Sequence, residues 1–342
     1  MSIASIGIDI GKLTFHLVAL DDHGKVVVRK KLSRKQLLVY TAKLKTVLIG
    51  TEACSGAHFL GAALRDQGHD VRLIPAQFVK PFLKSNKNDF LDAEAIAEAV
   101  TRHNMRFVPI KTDDQLDLQA LHRVRDRLVQ RRTAVINQIR GFLLERGITF
   151  AQGPANLRRH IPSLLEDADQ NLTPRMRNLL AHLWEEWKQL ESDVESISSE
   201  IGTIADQDAA CQRLRKIPGI GPLVSTATVA AIGNGAAFRK GREFAAWLGL
   251  IPRQHSTGGK ARLLGISKRG SVYLRRMFIH GARAVLLIVK YDTGRLGQWA
   301  RELALRAPRN KVIVAVANKL ARIAWAVLSS GNEYRAAATA AA

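Results

Sequence analysis

Apolar and polar positions follow three different rhythms along the chain, and each rhythm predicts a different kind of element. In the first hundred residues the apolar runs are short and bounded by turn residues. They predict strands over residues 6–11, 14–20 and 25–32, the third following the turn Asp21-Asp22-His23-Gly24. A helical stretch at 33–45 precedes an apolar strand, 46–52, that ends on Glu52; a helix at 55–67 and a strand at 70–74 come next. A run of helix formers then opens at Asp89-Phe90-Leu91-Asp92 and continues to Val100. Three strands followed by alternating helix and strand predict a mixed α/β sheet.

The rhythm changes beyond residue 112. Leu116, Leu118, Leu121, Val124, Leu128, Val135, Ile139 and Leu143 recur near helical spacing among many Arg and Gln. Pro154, Pro162 and Pro174 interrupt the segment. A second amphipathic stretch then runs from Arg175 through Leu179, Leu183, Trp187, Leu190, Val194, Ile197 and Ile201, with coiled-coil-like steps of four and three. The expectation is a long helical connector, residues 113–210, serving assembly and spacing.

The last third, 211–335, predicts a mostly helical domain. It opens on Arg215-Lys216-Ile217-Pro218-Gly219-Ile220-Gly221, a turn between helices that resembles a helix-hairpin-helix. In such a turn Gly219 and Gly221 would let main-chain N–H groups approach a phosphate; a plain tight turn is the alternative. A helix at 238–248 leads to a stretch, 253–262, expected to be a flexible loop holding Arg253, His255, Ser256, Thr257, Lys260 and Arg262. A second basic loop with Lys268, Arg269, Arg275 and Arg276 leads into an apolar helix at 277–289. Another helix, 312–328, closes the domain before a frayed Ala-rich tail, 336–342.

Charge sharpens this division. The formal net charge is +22, and residues 211–342 carry 23 Lys and Arg against 4 Asp and Glu, while residues 1–100 carry 14 against 10. An excess concentrated in one third of the chain points to a polyanionic partner, nucleic acid. No uncharged apolar run of about 18 residues exists, no secretory signal opens the chain, and two cysteines are too few for a disulfide framework. A cytoplasmic, nucleoid-associated protein with no membrane contact is expected.

The candidate chemistry lies in the acids. On a helix, Asp89 and Asp92 are neighbours, and adjacent carboxylates repel unless a cation or a shared proton sits between them. Favourable capping of a helix N-terminus explains such a pair equally simply. Asp9 lies inside an apolar strand, where a carboxylate is costly unless it faces a cleft or a partner. The order of strand Asp9, strand-end Glu52 and helical Asp89 and Asp92 resembles the ribonuclease-H-like fold in its Holliday-junction-resolvase (RuvC-like) form. That resemblance implies a catalytic domain over residues 1–112 whose four acids bind magnesium at two sites, with manganese as a substitute. Gly7-Ile8-Asp9-Ile10-Gly11 is also similar to the opening strand of actin-like ATPases, but the second Asp-Gly turn and the Gly-Gly adenosine loop of those proteins are missing.

Over nearly its whole length the chain resembles the DEDD insertion-sequence transposases, the bridge-RNA-guided recombinases. The carrying residues are Gly7-Ile8-Asp9, Thr51-Glu52-Ala53, Asn88-Asp89-Phe90-Leu91-Asp92-Ala93, Ile217-Pro218-Gly219-Ile220-Gly221 and Phe244 through Arg253. Ser256-Thr257-Gly258-Gly259-Lys260 and Ile266-Ser267-Lys268-Arg269-Gly270 complete the set. The resemblance implies a tetramer (a dimer of dimers) acting on double-stranded target and donor DNA with a noncoding guide RNA from the element. It implies a composite site in which a serine attacks the scissile phosphate and forms a covalent phosphoserine link. The family motif often reads Ser immediately before Gly; here Thr257 holds that place and Ser256 precedes it. The primary hydroxyl of Ser256 is the less hindered nucleophile and is preferred over Thr257. The basic residues named above would bind nucleic acid. Two other readings remain: a junction-resolving nuclease that uses activated water, and a non-catalytic nucleic-acid-binding protein whose acids only cap helices.

Overall fold

β1 (Ser5–Ile10) runs through the middle of a five-stranded sheet with the order β3-β2-β1-β4-β5. The computed structural model describes residues 2–84, 88–167, 172–288 and 294–335, and the chain divides into two units, 1–113 and 114–342. β2 (Thr14–Leu20) and β3 (Val26–Ser33) pair antiparallel beside β1. After α1 (Arg34–Thr41), whose N-terminus closes with a capping box between Ser33 and Gln36, β4 (Leu48–Glu52) returns parallel to β1. α2 (Ala57–Asp66) then crosses to β5 (Asp70–Ile74), parallel to β4.

The period of two along a strand sorts β1 into two faces. Ile6 and Ile8 are fully buried and pack with Leu17, Ile49, Leu60 and Leu64. Gly7 and Asp9 point the other way, toward the helix that follows the short α3 (Ala76–Val79), namely α4 (Asp89–Ala99). A Cβ added at Gly7 would lie 2.0 Å from the carbonyl oxygen of Ala93 and 2.4 Å from the nitrogen of Ala97. At Gly50, the register partner of Gly7 on β4, an added Cβ would lie 2.8 Å from the Cβ of Val100. Two glycines and the small side chains of Ala93 and Ala97 thus bring α4 almost onto the backbone of the sheet. Ser5 Oγ fastens it by donating to Ala97 O at 3.0 Å.

The second unit is helical apart from one two-stranded ribbon. α5 (Asp113–Leu144), α6 (Pro154–Glu166) and α7 (Pro174–Gln207) share an apolar cluster around the fully buried Trp187. Pro154 and Pro174 each occupy the first turn of a helix, where no N–H bond is lost. Pro162 does not break the chain; it sits inside α6 at an exposed position, where water can take the carbonyl it leaves unbonded.

A larger cluster gathers α8 (Ala209–Arg215), α9 (Pro222–Ile232), α10 (Gly241–Trp247), α11 (Val272–Ile288), α12 (Arg295–Arg306) and α13 (Arg309–Ser330). The helix expected at 238–248 is shorter than its apolar pattern, because Phe238 lies in the preceding turn, its N–H on Gly235 O. α13 is, among the described residues, the helix long and apolar enough to cross a membrane, yet half of that stretch is buried inside this cluster. The tail 336–342 lies outside the described residues. Buried His122 stitches α5 to this core, bonding Tyr273 Oη and Thr226 Oγ1, each at 2.9 Å. Burial pushes its imidazole down to about 4, so it stays neutral.

Gly7→Ala is expected to destabilise the sheet unit by about 2–3 kcal/mol, because the new methyl meets backbone rather than a yielding side chain. Gly141→Ala, in open space inside α5, is expected to stabilise the chain by about 0.5–1 kcal/mol. Thermal melting of the two variants should therefore shift in opposite directions.

Candidate acidic centre and basic hairpin

Asn88 starts α4: its side-chain oxygen accepts from the N–H of Phe90 at 2.9 Å, and Asp89 and Asp92 fill the first turn. Because α4 lies on Gly7 and Gly50, that first turn arrives at the carboxyl ends of β1 and β4, where Asp9 and Glu52 stand. Ligand atoms of Asp9, His16 and Asp89 all lie within 4.8 Å of one another, a candidate metal-holding group. Glu52 and Asp92 are near enough to act on Asp9. Its carboxyl is held above the ordinary value, first by burial, then by the charges of Asp92 and Asp89, with a smaller push from Glu52. His16 pulls in the opposite direction. Cys54 shares the environment: burial and the charges of Glu52 and Asp9 raise its thiol.

The sequence reading omitted His16. It is the cross-strand partner of Asp9, it is 8% exposed, and its ring meets Phe90 edge-on with centroids 4.8 Å apart. Its Nδ1 stands 3.5 Å from Asp89 Oδ2. The signal was available, since the short turn after β1 fixes a register that sets residue 16 opposite residue 9.

Cations on the outer side of α4 pair with other acids. Arg29 and Lys84 reach Glu94 at 3.0 and 3.1 Å, and Arg102 reaches Glu98 at 2.7 Å. Among the described residues no Lys or Arg pairs with Asp9, Glu52, Asp89 or Asp92. A half-buried group of carboxylates with one imidazole and uncompensated negative charge matches the oxygen-rich donor set that hard divalent cations take. The residues present fit such an ion.

The stretch 253–262, expected to be a flexible loop, is a β-ribbon. β6 (Pro252–Thr257) and β7 (Lys260–Ile266) pair across Gly258 and Gly259, whose φ values of 55° and 77° suit the two-residue hairpin turn with both central residues left-handed. The Gly-Gly pair that suggests looseness is what this turn requires. Every residue from Ile251 to Gly265 is exposed. Cross-strand pairing sets His255 opposite Arg262 and Thr257 opposite Lys260, while Gln254 opposes Leu263 and Ser256 opposes Ala261. Ser256 and Thr257 therefore face opposite sides, with His255, Lys260 and Arg262 on the side of Thr257. The side-chain amide of Gln254 donates to Ser256 Oγ at 2.7 Å.

The remaining basic residues divide by environment. Arg253, Lys260, Arg262, Lys268 and Arg269 are exposed. Arg275 is buried, and its guanidinium donates to the carbonyls of Leu248 and Arg269 at 3.0 and 2.8 Å, clamping the root of the ribbon. Its charged end is turned inward, away from any ligand at the surface, because it faces the core from the first turn of α11. Arg276 pairs with Asp126 and lies over the Tyr273 ring; Arg215 pairs with Asp206 and Lys216 with Glu333. Gly219 abuts Gly281 of α11, where an added Cβ would be 2.5 Å from the carbonyl oxygen; Gly221 is exposed in open space before α9.

Comparison with known proteins bears on both regions. A family model for the DEDD transposases of IS110 elements, described as "Transposase", matches residues 6–147. A second model, described as "Transposase IS116/IS110/IS902 family", matches residues 211–296. The chain is 44% identical over 336 residues to the "Probable family 20 transposase" of Pseudomonas aeruginosa, covering 98% of this chain and 99% of that protein. It is 42% identical over 333 residues to the "Transposase for insertion sequence element IS1328" of Yersinia enterocolitica, covering 97% and 99%. The "Transposase for insertion sequence element IS1111A" of Coxiella burnetii is 43% identical over 333 residues, covering 97% and 92%.

An acid raised above its unfolded value of 3.8 favours the protonated folded state. The contribution of Asp9 to stability therefore falls as pH rises from 3.8 through its raised value, and it is unfavourable at neutral pH. In EDTA at pH 7, Asp9→Asn is expected to melt above the parent chain. Added magnesium should stabilise the parent and leave the variant nearly unchanged. Scanning calorimetry with and without the ion checks both signs.

Proposed function

The chain belongs to the IS116/IS110/IS902 transposase family and is an insertion-sequence transposase, an enzyme that cuts and rejoins DNA; on that footing we propose a chemical division of labour between its two units. The carboxylates of Asp9, Glu52, Asp89 and Asp92, with His16 beside them, would hold magnesium. Bound there, the ion would polarise a phosphate and offset charge developing on its oxygens. The ribbon supplies the nucleophile. The observation that carries this reading is the composition of the exposed ribbon: two hydroxyls among cations, with no acid in the sequence between Glu243 and Asp292.

Ser256 is the hydroxyl we assign to the attack. Gln254 donates to its Oγ, which leaves the Ser256 O–H free to give up its proton. The Oγ–P bond forms as the P–O bond to one side of the break is cleaved, and the departing strand end takes up a proton. The phosphodiester energy is then held in the protein–DNA link until a second strand end reverses the step. Arg253, Lys260, Arg262, Lys268 and Arg269 would hold flanking phosphates. Arg215, Lys216, Gly219 and Gly221 form a turn between α8 and α9 suited to the same task if the ion pairs of the two cations open.

The resemblance to bridge-RNA-guided recombinases supports a guide RNA from the element as the source of target and donor specificity. It also supports a tetramer, with residues 113–210 as the coiled-coil assembly connector. Base pairing would then choose the sites, as in other RNA-guided systems.

Incubation with end-labelled DNA should trap a covalent adduct. Ser256→Ala is expected to lower its yield by about three orders of magnitude or more, while Thr257→Val leaves it within about tenfold. Phosphothreonine in the digested adduct would overturn the assignment to Ser256, and free cut ends without adduct would favour water as the nucleophile. Sequencing of RNA that copurifies with the chain should return one discrete noncoding species.

A further inference from the structure

A groove of about 560 Å³ runs between the start of α10 and the C-terminal half of α13. Lys240, Arg242, Lys319 and Arg322 line it, over a floor that includes Ile323 and Trp325. The floor is fixed: Trp325 Nε1 donates to Gly235 O at 3.0 Å, and Gly241 packs against Arg322, where an added Cβ would be 3.0 Å from the carbonyl oxygen. None of the four cations has a salt bridge among the described residues. Residues 303–332, which include all of α13, contain no acid. The nearest acid on α10, Glu243, accepts from the main-chain N–H of Arg239 at 2.9 Å.

Four cations without an ion pair share one concavity, and Lys319 is the most enclosed of them. Burial and the neighbouring Arg322 lower its ammonium, which rests 4.0 Å from the centre of the Trp299 ring. A protein holds such an arrangement against its own electrostatics when an anion resolves it. The apolar floor raises the strength of any charge pairing formed there.

We propose that this groove is a second phosphodiester-binding site, separate from the ribbon and gripping a nucleic-acid backbone. The spacing supports it. Asn318 of α13 donates to Leu250 O at the root of the ribbon, and Arg322, four residues on, meets Gly241. The groove therefore begins about 6 Å along the helix from that root. A strand lying on the ribbon needs to advance by roughly one phosphate to enter it. The inference rests on the DNA-acting family, and it is independent of which hydroxyl attacks.

The test removes three exposed charges in the full chain, as Lys240→Gln, Arg242→Gln and Arg322→Gln together, leaving Lys319 on its tryptophan. A control of equal charge loss carries Lys35→Gln, Lys43→Gln and Lys45→Gln in the other unit. Fluorescence anisotropy with a labelled DNA duplex and with a labelled RNA, at several salt concentrations, reads binding without cleavage. The groove variant is expected to bind at least one of the two about 10–100-fold more weakly, with the slope of log affinity on log salt reduced by about two to three. Loss with the duplex alone assigns the groove to DNA, and loss with RNA alone assigns it to RNA. A groove variant that binds both like the parent, or no worse than the control, overturns the proposal. Because adduct formation through Ser256 is measured separately, failure of one result leaves the other standing.

Discussion

The close seating of α4 on Gly7 and Gly50 is the contact on which the acidic centre depends. With any side chain at Gly7 the helix would have to withdraw, since its own carbonyl at Ala93 occupies the place of a Cβ. That separation decides whether Asp89 and Asp92 reach the strand-end acids. It also decides the sign of the electrostatics: apolar packing of Ala93, Ala97 and Ile96 forces together carboxylates that repel. The hydrophobic core thus does work against the charge of the site, and a cation would return part of it.

The second unit solves the opposite problem. Its ribbon has neither a hydrophobic face against the core nor a third strand, and isolated two-stranded ribbons are marginal in water. Its order comes from its root. The Arg275 guanidinium ties Leu248 O to Arg269 O, Ser267 N bonds Ile251 O, and Lys268 N bonds Gly249 O. An arginine that counted as a ligand cation by composition is, in place, a clamp for the segment that displays the Ser256 and Thr257 hydroxyls.

Much of this was legible in the chain. The strand and helix rhythm of the first hundred residues predicts every element of the sheet, because a sheet covered by helices demands period-two and period-3.6 patterns with little ambiguity. Asp9 and Glu52 could be chosen because carboxylates are rare in apolar strands, and Asp89 and Asp92 because two acids three apart on a helix stand side by side. What stayed hidden depends on tertiary partners. His16 acquires meaning only through its register opposite Asp9. Arg275 and Arg276 read as one basic pair, yet adjacent positions on a helix point in different directions, one into the core and one toward Asp126. The ribbon at 253–262 read as flexible because Gly-Gly serves loops and tight hairpins alike.

The bulge between Pro252 and Gln254 and the tight turn at Gly258 and Gly259 together set the ribbon's phase. With a period of two, that phase alone decides which hydroxyl emerges on which side. Inserting a single residue between the bulge and Ser256 would exchange the sides on which Ser256 and Thr257 emerge relative to the root, without altering either. Two neighbouring hydroxyls therefore behave as one address read in two frames, and a slipped strand would change which of them is presented on a given side without replacing a side chain.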